Sequence, residues 1–355
     1  MRPITTCLIL CLGLLAACRT SPENEQSDDK RLRGGSGRGL LIGFYNVENL
    51  FDAVDDSLID EIEFVPGSEL DWTEEKYFQK QANMAEAIAA MGERGPDVLG
   101  VAEVENLHVL EDLVAQEALA GRKYAIVHEE SPDLRGIDVA LIYDPVQFRY
   151  RQHATFRLSF PEEPDYISRD ILWVEGEVKG EPLHLIVNHW PSRRDGPEVS
   201  EARRMVAARK VAAMVAEIRS RETDPAIVIM GDFNDDPRDR SITEVLMATG
   251  DSTQVATGGF YNPMYRLHDP ERQGTLTYQG KWNLFDQILL NEDLLDQDGR
   301  LVYKQASATI HNPDFMQVGG DGRSKDAPRR AIYRGAFQER GFSDHFPVYL
   351  RLHVR

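Results

Sequence analysis

Nine short apolar runs punctuate the chain: Leu40–Tyr45, Val98–Ala102, Tyr124–His128, Ile137–Tyr143, Leu172–Val178, Leu183–Asn188, Ala226–Met230, Leu284–Leu290 and Phe346–Leu352. Their lengths and their β-branched residues predict strands, several of them buried on both faces. Helical spacing appears between some of them. It covers Lys76–Met91, which stops at Gly92, then Leu107–Leu119, and then Ser200–Arg221. In the last of these Met205, Ala208, Ala212, Val215 and Ile218 share one stripe. Ser241-Ile242-Thr243-Glu244 has capping-box spacing and predicts a short helix. Many strands with few, unevenly placed helices predict an α/β chain of the α+β type, with two packed sheets and helices outside.

Polar residues stand where the strands end. The run to Met230 is followed by Gly231-Asp232-Phe233-Asn234-Asp235-Asp236-Pro237. Turn chemistry explains Asp235-Asp236-Pro237. In an extended chain Asp232 and Asn234 share one face and Phe233 takes the other. The same ending recurs as Asn46-Val47-Glu48-Asn49, Glu103-Val104-Glu105-Asn106 and Asn188-His189-Trp190-Pro191-Ser192-Arg193, and Ser343-Asp344-His345 precedes the last strand. Each has a bland reading: a turn for Asn46 and Glu48, a helix cap for Glu105, an edge residue for His189, a surface pair for Asp344 and His345. Asp286 lies inside an apolar run, where an acid needs a partner, and His345 is the best candidate. Together these are hard oxygen donors with two imidazoles and no sulfur. They suit Mg²⁺, Mn²⁺ or Ca²⁺ rather than structural zinc. Such a set can hydrolyse a phosphoester: the cation neutralises the phosphate, and acid and base groups serve water and the leaving oxygen.

The N-terminus changes the picture of location. Residues 3–17 carry no charge and follow a single Arg2, a signal-peptide pattern too short to span a membrane. Leu15-Ala16-Ala17-Cys18 resembles the lipobox of bacterial lipoproteins, which implies cleavage before Cys18 and its lipidation. Arg19 follows, and a non-Asp residue there goes with outer-membrane sorting. The expected organisation is a signal peptide over 1–17, a lipidated, Gly/Ser/Arg-rich tether over 18–39, and a catalytic domain over 40–355. This places the protein in the bacterial cell envelope, attached to the membrane by lipid. Cys7 and Cys11 fall in the removed segment, so thiol chemistry and disulfides are excluded from the domain. The full chain has net charge −19; without Arg2 and a tether of five basic and four acidic residues, the domain from Leu40 stands at −21. A polyanion must therefore be met locally.

Taken in order, the motifs resemble the endonuclease/exonuclease/phosphatase superfamily, in a bacterial secreted or surface branch. The resemblance runs from Leu40 to Leu352 through Asn46-Val47-Glu48, Glu103, Asn188-His189, Gly231-Asp232-Phe233-Asn234, Asp286 and Ser343-Asp344-His345. It implies a four-layer α/β/β/α sandwich with the site at the top of two central sheets. It implies that Glu103 binds the metal with Asn46 and Glu48, that Asp344 lies beside it, and that Asp232 orients or deprotonates water. Asn234 and His189 would hold phosphoryl oxygens, and Asp286 with His345 would form a dyad.

Substrate is less well marked. Arg193 follows His189 closely and is expected to meet phosphate; Arg135 and Arg169 are expected to line the cleft. Trp190, Tyr278 and Trp282 either stack bases or pack as core. The stretch from Arg203 to Lys210 is expected to be a solvated helix face. The basic loop of Arg323, Lys325, Arg329, Arg330, Arg334 and Arg340 meets either a phosphate backbone or only water. The leading expectation is a metal-dependent, cell-surface nuclease acting on DNA or RNA. A phosphodiesterase or phosphatase of lipid headgroups or small phosphoesters comes second, and a non-catalytic binding lipoprotein last. No obligate protein partner is called for.

Overall fold

The structure, a computed structural model, describes residues 39–55, 63–319 and 326–355. The signal segment, Cys18, the tether up to Arg38, and Arg323 and Lys325 lie outside the described residues.

Two seven-stranded sheets make the centre. The first is built around β1 (Leu40–Leu50), β2 (Val98–Val104), β3 (Ala125–His128) and β4 (Asp138–Tyr143), with later strands at its other side. The second runs β5 (Arg149–Phe156), β6 (Ile171–Val178), β7 (Glu181–His189), β8 (Ile227–Asp232), and then β9 (Asp286–Asn291), with two short strands beyond. The last strand, β10 (Val348–Val354), pairs antiparallel with β1 in the first sheet.

The continuous apolar runs follow from burial on both faces. In β8, Val228 and Met230 enter the core between the sheets, while Ile227 and Ile229 pack in a second core with the long helix. In β7, Leu185 and Val187 face inward and Ile186 outward. The sheets approach closely at Gly100, where an added Cβ would stand 2.7 Å from Met230 Sδ and 3.1 Å from Val187 Cγ1. Helices α1 (Glu74–Ala89), α2 (Leu107–Ala115) and α3 (Glu117–Ala120) lie with the first sheet, and α4 (Pro197–Arg221) covers the second. The result is the expected four-layer sandwich.

Several expectations shift. The segment Leu107–Leu119 breaks at Gln116 into two helices. The buried stripe of α4 runs through Ala207, Ala208, Val211, Met214, Val215 and Ile218, while Met205 and Ala212 are only partly buried. Ser241 starts one wide π-type turn, and its hydroxyl donates to Asp235 Oδ2 at 2.6 Å instead of capping the backbone. Strand β5 was not expected at all: Arg149–Phe156 lacks an apolar run because it is an exposed edge.

Candidate active site

Strand alternation carries polar groups to one place. Val187 and Met230 face the gap between the sheets, so His189 and Asp232, two residues on, face it too. Ile288 and Leu290 put Asp286 in the same phase. His189 stands beside Asp232 across a parallel pair, and Asp286 beside Asp232 across an antiparallel pair. From the first sheet Asn46 continues the inward phase of Phe44. Glu103 does not share the phase of Gly100. It sits at an irregularity of β2 with φ +63°, and the bulge turns its side chain into the site. Glu48, Asn49 and Asn234 also have left-handed backbones, with φ of 52°, 52° and 49°.

Asp232 Oδ2 is the meeting point. Asn46 Nδ2 donates to it at 3.0 Å and reaches Glu103 Oε1 at 3.4 Å, tying the two sheets together. His189 Nε2 is 3.5 Å from Asp232 Oδ2 and 3.8 Å from Glu103 Oε1. His345 Nδ1 and Asp286 Oδ2 are 2.6 Å apart, and the same imidazole's Nε2 lies 3.9 Å from both Asp232 Oδ2 and Asp344 Oδ1. Ser343 Oγ donates to Asn46 O at 2.7 Å and accepts from the His345 N–H, which fixes this corner. Donor atoms of Asp232, Asp286 and His345 lie within 4.8 Å of one another. The Asp286–His345 hydrogen bond makes those two an acid–imidazole dyad.

The electrostatics divide the two histidines. Burial, then Arg169 and Arg135, hold His189 well below its ordinary value, so it is neutral. Burial opposes charge on His345 as well, but Asp286, Asp344 and Asp232 together raise it well above its ordinary value, so it is an imidazolium. Burial raises Asp232 to about 6. Burial would raise Glu103 too; Arg135, His345 and Arg169 overcome it and leave Glu103 lowered. Burial and the neighbouring Asp344 carboxylate raise Glu48, against the pull of the Lys80 ammonium.

That mutual repulsion bears on the expected cation. Asn46, Glu48, Glu103 and Asp344 offer amide and carboxylate oxygens only, and Asp344 adds to the burial that raises Glu48. A hard divalent cation relieves that repulsion, so the donor set fits Mg²⁺, Mn²⁺ or Ca²⁺. Beneath it lies a residue absent from the sequence reading. Lys80 is fully buried, and its ammonium donates to the carbonyls of Glu48 and Asn49. Burial holds it below its ordinary value against the pull of Glu48, Glu103 and Asp344. Its sequence signal was a charged residue on the apolar stripe of a helix.

The expected substrate residues fare differently. Arg135 is partly exposed in the cleft, donating to Asn49 Oδ1 at 2.6 Å and lying 3.8 Å from Glu103 Oε2. Trp190 is fully buried, edge-on to Phe233 with its indole N–H on Asn188 Oδ1, so it packs as core and offers no face to a base. Trp282 likewise stacks on Phe346, whereas Tyr278 is exposed. Arg169 is buried, donating to the carbonyls of His189 and Trp190 and pairing with Asp133. It shapes the histidine loop and does not line the cleft. Arg193 is drawn to the Asn234 carbonyl, Asp235 and Asp239, with its guanidinium over the Phe285 ring. Those contacts support the turn that carries Asn234 and occupy the Nε and Nη2 donors of Arg193. Asn234 itself spends its amide N–H on Trp190 O at 2.9 Å. Arg204 is buried against Asp235 at 2.6 Å, so this part of α4 is no solvated face. Asp235 is thereby more than a turn residue.

Comparison with known proteins gives the family and the fold. Protein angel of Drosophila melanogaster is 24% identical over 227 residues, 63% of this chain and 60% of that protein. The chain thus spans about three fifths of that relative's length. The mannosyl-6-phosphatase Bt3783 of Bacteroides thetaiotaomicron VPI-5482 superposes at a TM-score of 0.53 with 20% identity, over 88% of this chain and 99% of that one. D. rerio TDP2 complexed with single strand DNA product superposes at 0.52 with 14% identity, over 89% and 99%. At such identities these two likenesses are of fold. The pattern of one family, described as Endonuclease/Exonuclease/phosphatase, matches residues 41–354, and by that match the chain belongs to the endonuclease/exonuclease/phosphatase family.

Proposed function

We propose that this protein is a divalent-metal-dependent phosphodiester hydrolase, lipid-anchored at the outer face of a bacterial cell envelope, that cuts DNA or RNA. Family membership supports phosphoester hydrolysis in general. The observation that carries the reading is the convergence on Asp232 of Asn46, His189, Glu103 and the Asp286–His345 dyad. A divalent cation on Asn46, Glu48, Glu103 and Asp344 would neutralise the phosphate and make its phosphorus more open to attack. Asp232 takes the proton of the attacking water. His345 Nε2 lies only 3.9 Å from that carboxylate, and in-line attack sends the leaving oxygen to the opposite side of phosphorus. His345 therefore serves a non-bridging oxygen as a charged donor, with Asp286 holding its charge and angle, and the leaving oxygen takes its proton from solvent water as its bond to phosphorus breaks. His189 completes the cradle, and Arg135 stands at its mouth.

The second reading is a small or lipid-headgroup phosphoester. It is favoured by the commitment of Arg169, Arg193 and Trp190 to the protein's own contacts, which leaves few groups to grip a polymer. Residues 19–355 incubated with supercoiled plasmid and Mg²⁺, Mn²⁺ or EDTA, beside Asp232→Ala, separate the two. Nicking that needs both metal and Asp232 supports the nuclease. No nicking, with metal-dependent hydrolysis of a phosphomonoester or a headgroup, gives the second reading. Neither activity from folded protein leaves a binding lipoprotein. For the anchor, Cys18→Ser should move the full-length protein from the membrane fraction to the soluble one.

A further inference from the structure

Helix α1 buries Tyr77, Lys80, Gln81, Met84 and Ile88 along one stripe. A lysine in that stripe is costly unless its charge is met. Its hydrogen bonds, however, go to carbonyls: Glu48 O, and Asn49 O at 2.9 Å. Both acceptors belong to residues with φ +52°, a backbone that non-glycine residues seldom adopt. The same bend puts the Asn49 N–H on Glu103 Oε2 at 3.0 Å and Glu48 Oε2 on the Ala331 N–H at 2.8 Å. The ammonium also lies in the field of Glu48, Glu103 and Asp344, yet it leaves their oxygens to other donors.

We infer that Lys80 is the built-in counter-charge of the acidic site: it pins the Glu48–Asn49 bend and offsets the Glu48, Glu103 and Asp344 carboxylates when no divalent cation is bound. The inference rests on reading those acids as the cation's donors. It accounts for a left-handed bend that hangs Glu48 and the Asn49 N–H beside Glu103.

Lys80→Met and Lys80→Gln test this by thermal unfolding in EDTA and in saturating Mg²⁺ or Mn²⁺. Glutamine can still donate to the carbonyls but has no charge. Both variants should melt lower than the native chain in EDTA. With one positive charge gone, the acids gain more from the other. The rise in melting temperature on adding metal should therefore be roughly twofold or more that of the native chain. A purely packing role would lower the melting temperature and leave the metal increment unchanged. Equal increments in the native chain and the Gln variant, or none in either, overturn the inference. If Lys80→Met does not fold, Lys80→Met/Glu48→Gln removes one of the uncompensated acids and should recover folding in EDTA; no recovery counts against the counter-charge. This readout is separate from cleavage. Unequal increments in a chain that cuts nothing uphold Lys80 and sink the hydrolase reading, while equal increments in an active nuclease do the reverse.

Discussion

Asp232 shows how much one side chain can be asked to do. Its Oδ2 accepts from Asn46 of the facing sheet and lies near both histidines. Burial raises its carboxyl to about 6, against the pull of His345. A base works only above its own pKa. Hydrolysis should therefore fall as pH drops through about 6, with the slope of a single proton. A pH–rate profile checks this, and the residual rate of Asp232→Asn should show no such fall. Asp232→Ala should cost about 10²- to 10⁴-fold in kcat, the usual worth of a positioned acid–base group. At this scale the sequence was informative about residue types. Asn46, Glu48, Glu103, His189, Asp232, Asn234, Asp286, Asp344 and His345 could all be picked out because polar groups at the ends of apolar strands need a reason. It was silent on which donors remain free. Arg169, Arg193 and Trp190 look available in the string, yet they are consumed by nearby carbonyls and acids.

The element that matters most is the turn after β8. Asp235 hangs from it, buried, and accepts from Arg204 and Ser241. Arg193 braces the same turn from the histidine loop. Removing one partner of a buried pair strands the other. Arg204→Met should cost about 3–5 kcal/mol of stability by denaturant unfolding. Arg204→Met/Asp235→Asn should recover part of that loss, because the buried carboxylate that lost its Arg204 partner is then neutral. Sequence periodicity placed α4 but rotated its buried stripe, since an arginine paired inside the protein reads as solvent-facing. It merged α2 and α3 because nothing at Gln116 announces a break. It passed over β5, whose residues alternate without an apolar face at the sheet edge. The spacing of Ser241 and Glu244 suggested a cap; the hydroxyl instead went to the strongest acceptor nearby.

Across the whole molecule two features set behaviour. The sheets meet at Gly100, where a side chain would strike Met230, Phe44 and Val187. Gly100→Val should cost about 1–3 kcal/mol through overpacking, and it should also loosen the approach of Asn46 to Asp232. Calorimetric unfolding reads the first effect and activity the second. The other feature is charge. A domain at −21 repels a polyanion. Plasmid nicking should therefore speed up as salt rises from low ionic strength to about 0.1 M, where screening reaches about 10 Å. Hydrolysis of a small phosphoester should change little over that range. A nicking rate that falls steeply with salt would instead mean a strong phosphate grip that these residues do not suggest.

The sequence by itself determined the long buried strands, because short apolar runs rich in β-branched residues fit little besides a strand buried on both faces. It determined the class of chemistry as well, because oxygen donors and imidazoles without sulfur suit few tasks. That His189, Asp232 and Asp286 share a face was decided by the pairing register of β7, β8 and β9. Tertiary structure alone decided the rest. The bulge at Glu103 and the left-handed bend at Glu48–Asn49 aim side chains in ways that no periodicity describes. The burial of Lys80, Arg204 and Trp190 depends on partners far along the chain, and only the packing of the two sheets brings those partners near. Periodicity is local, whereas the availability of a donor is settled by everything within its reach.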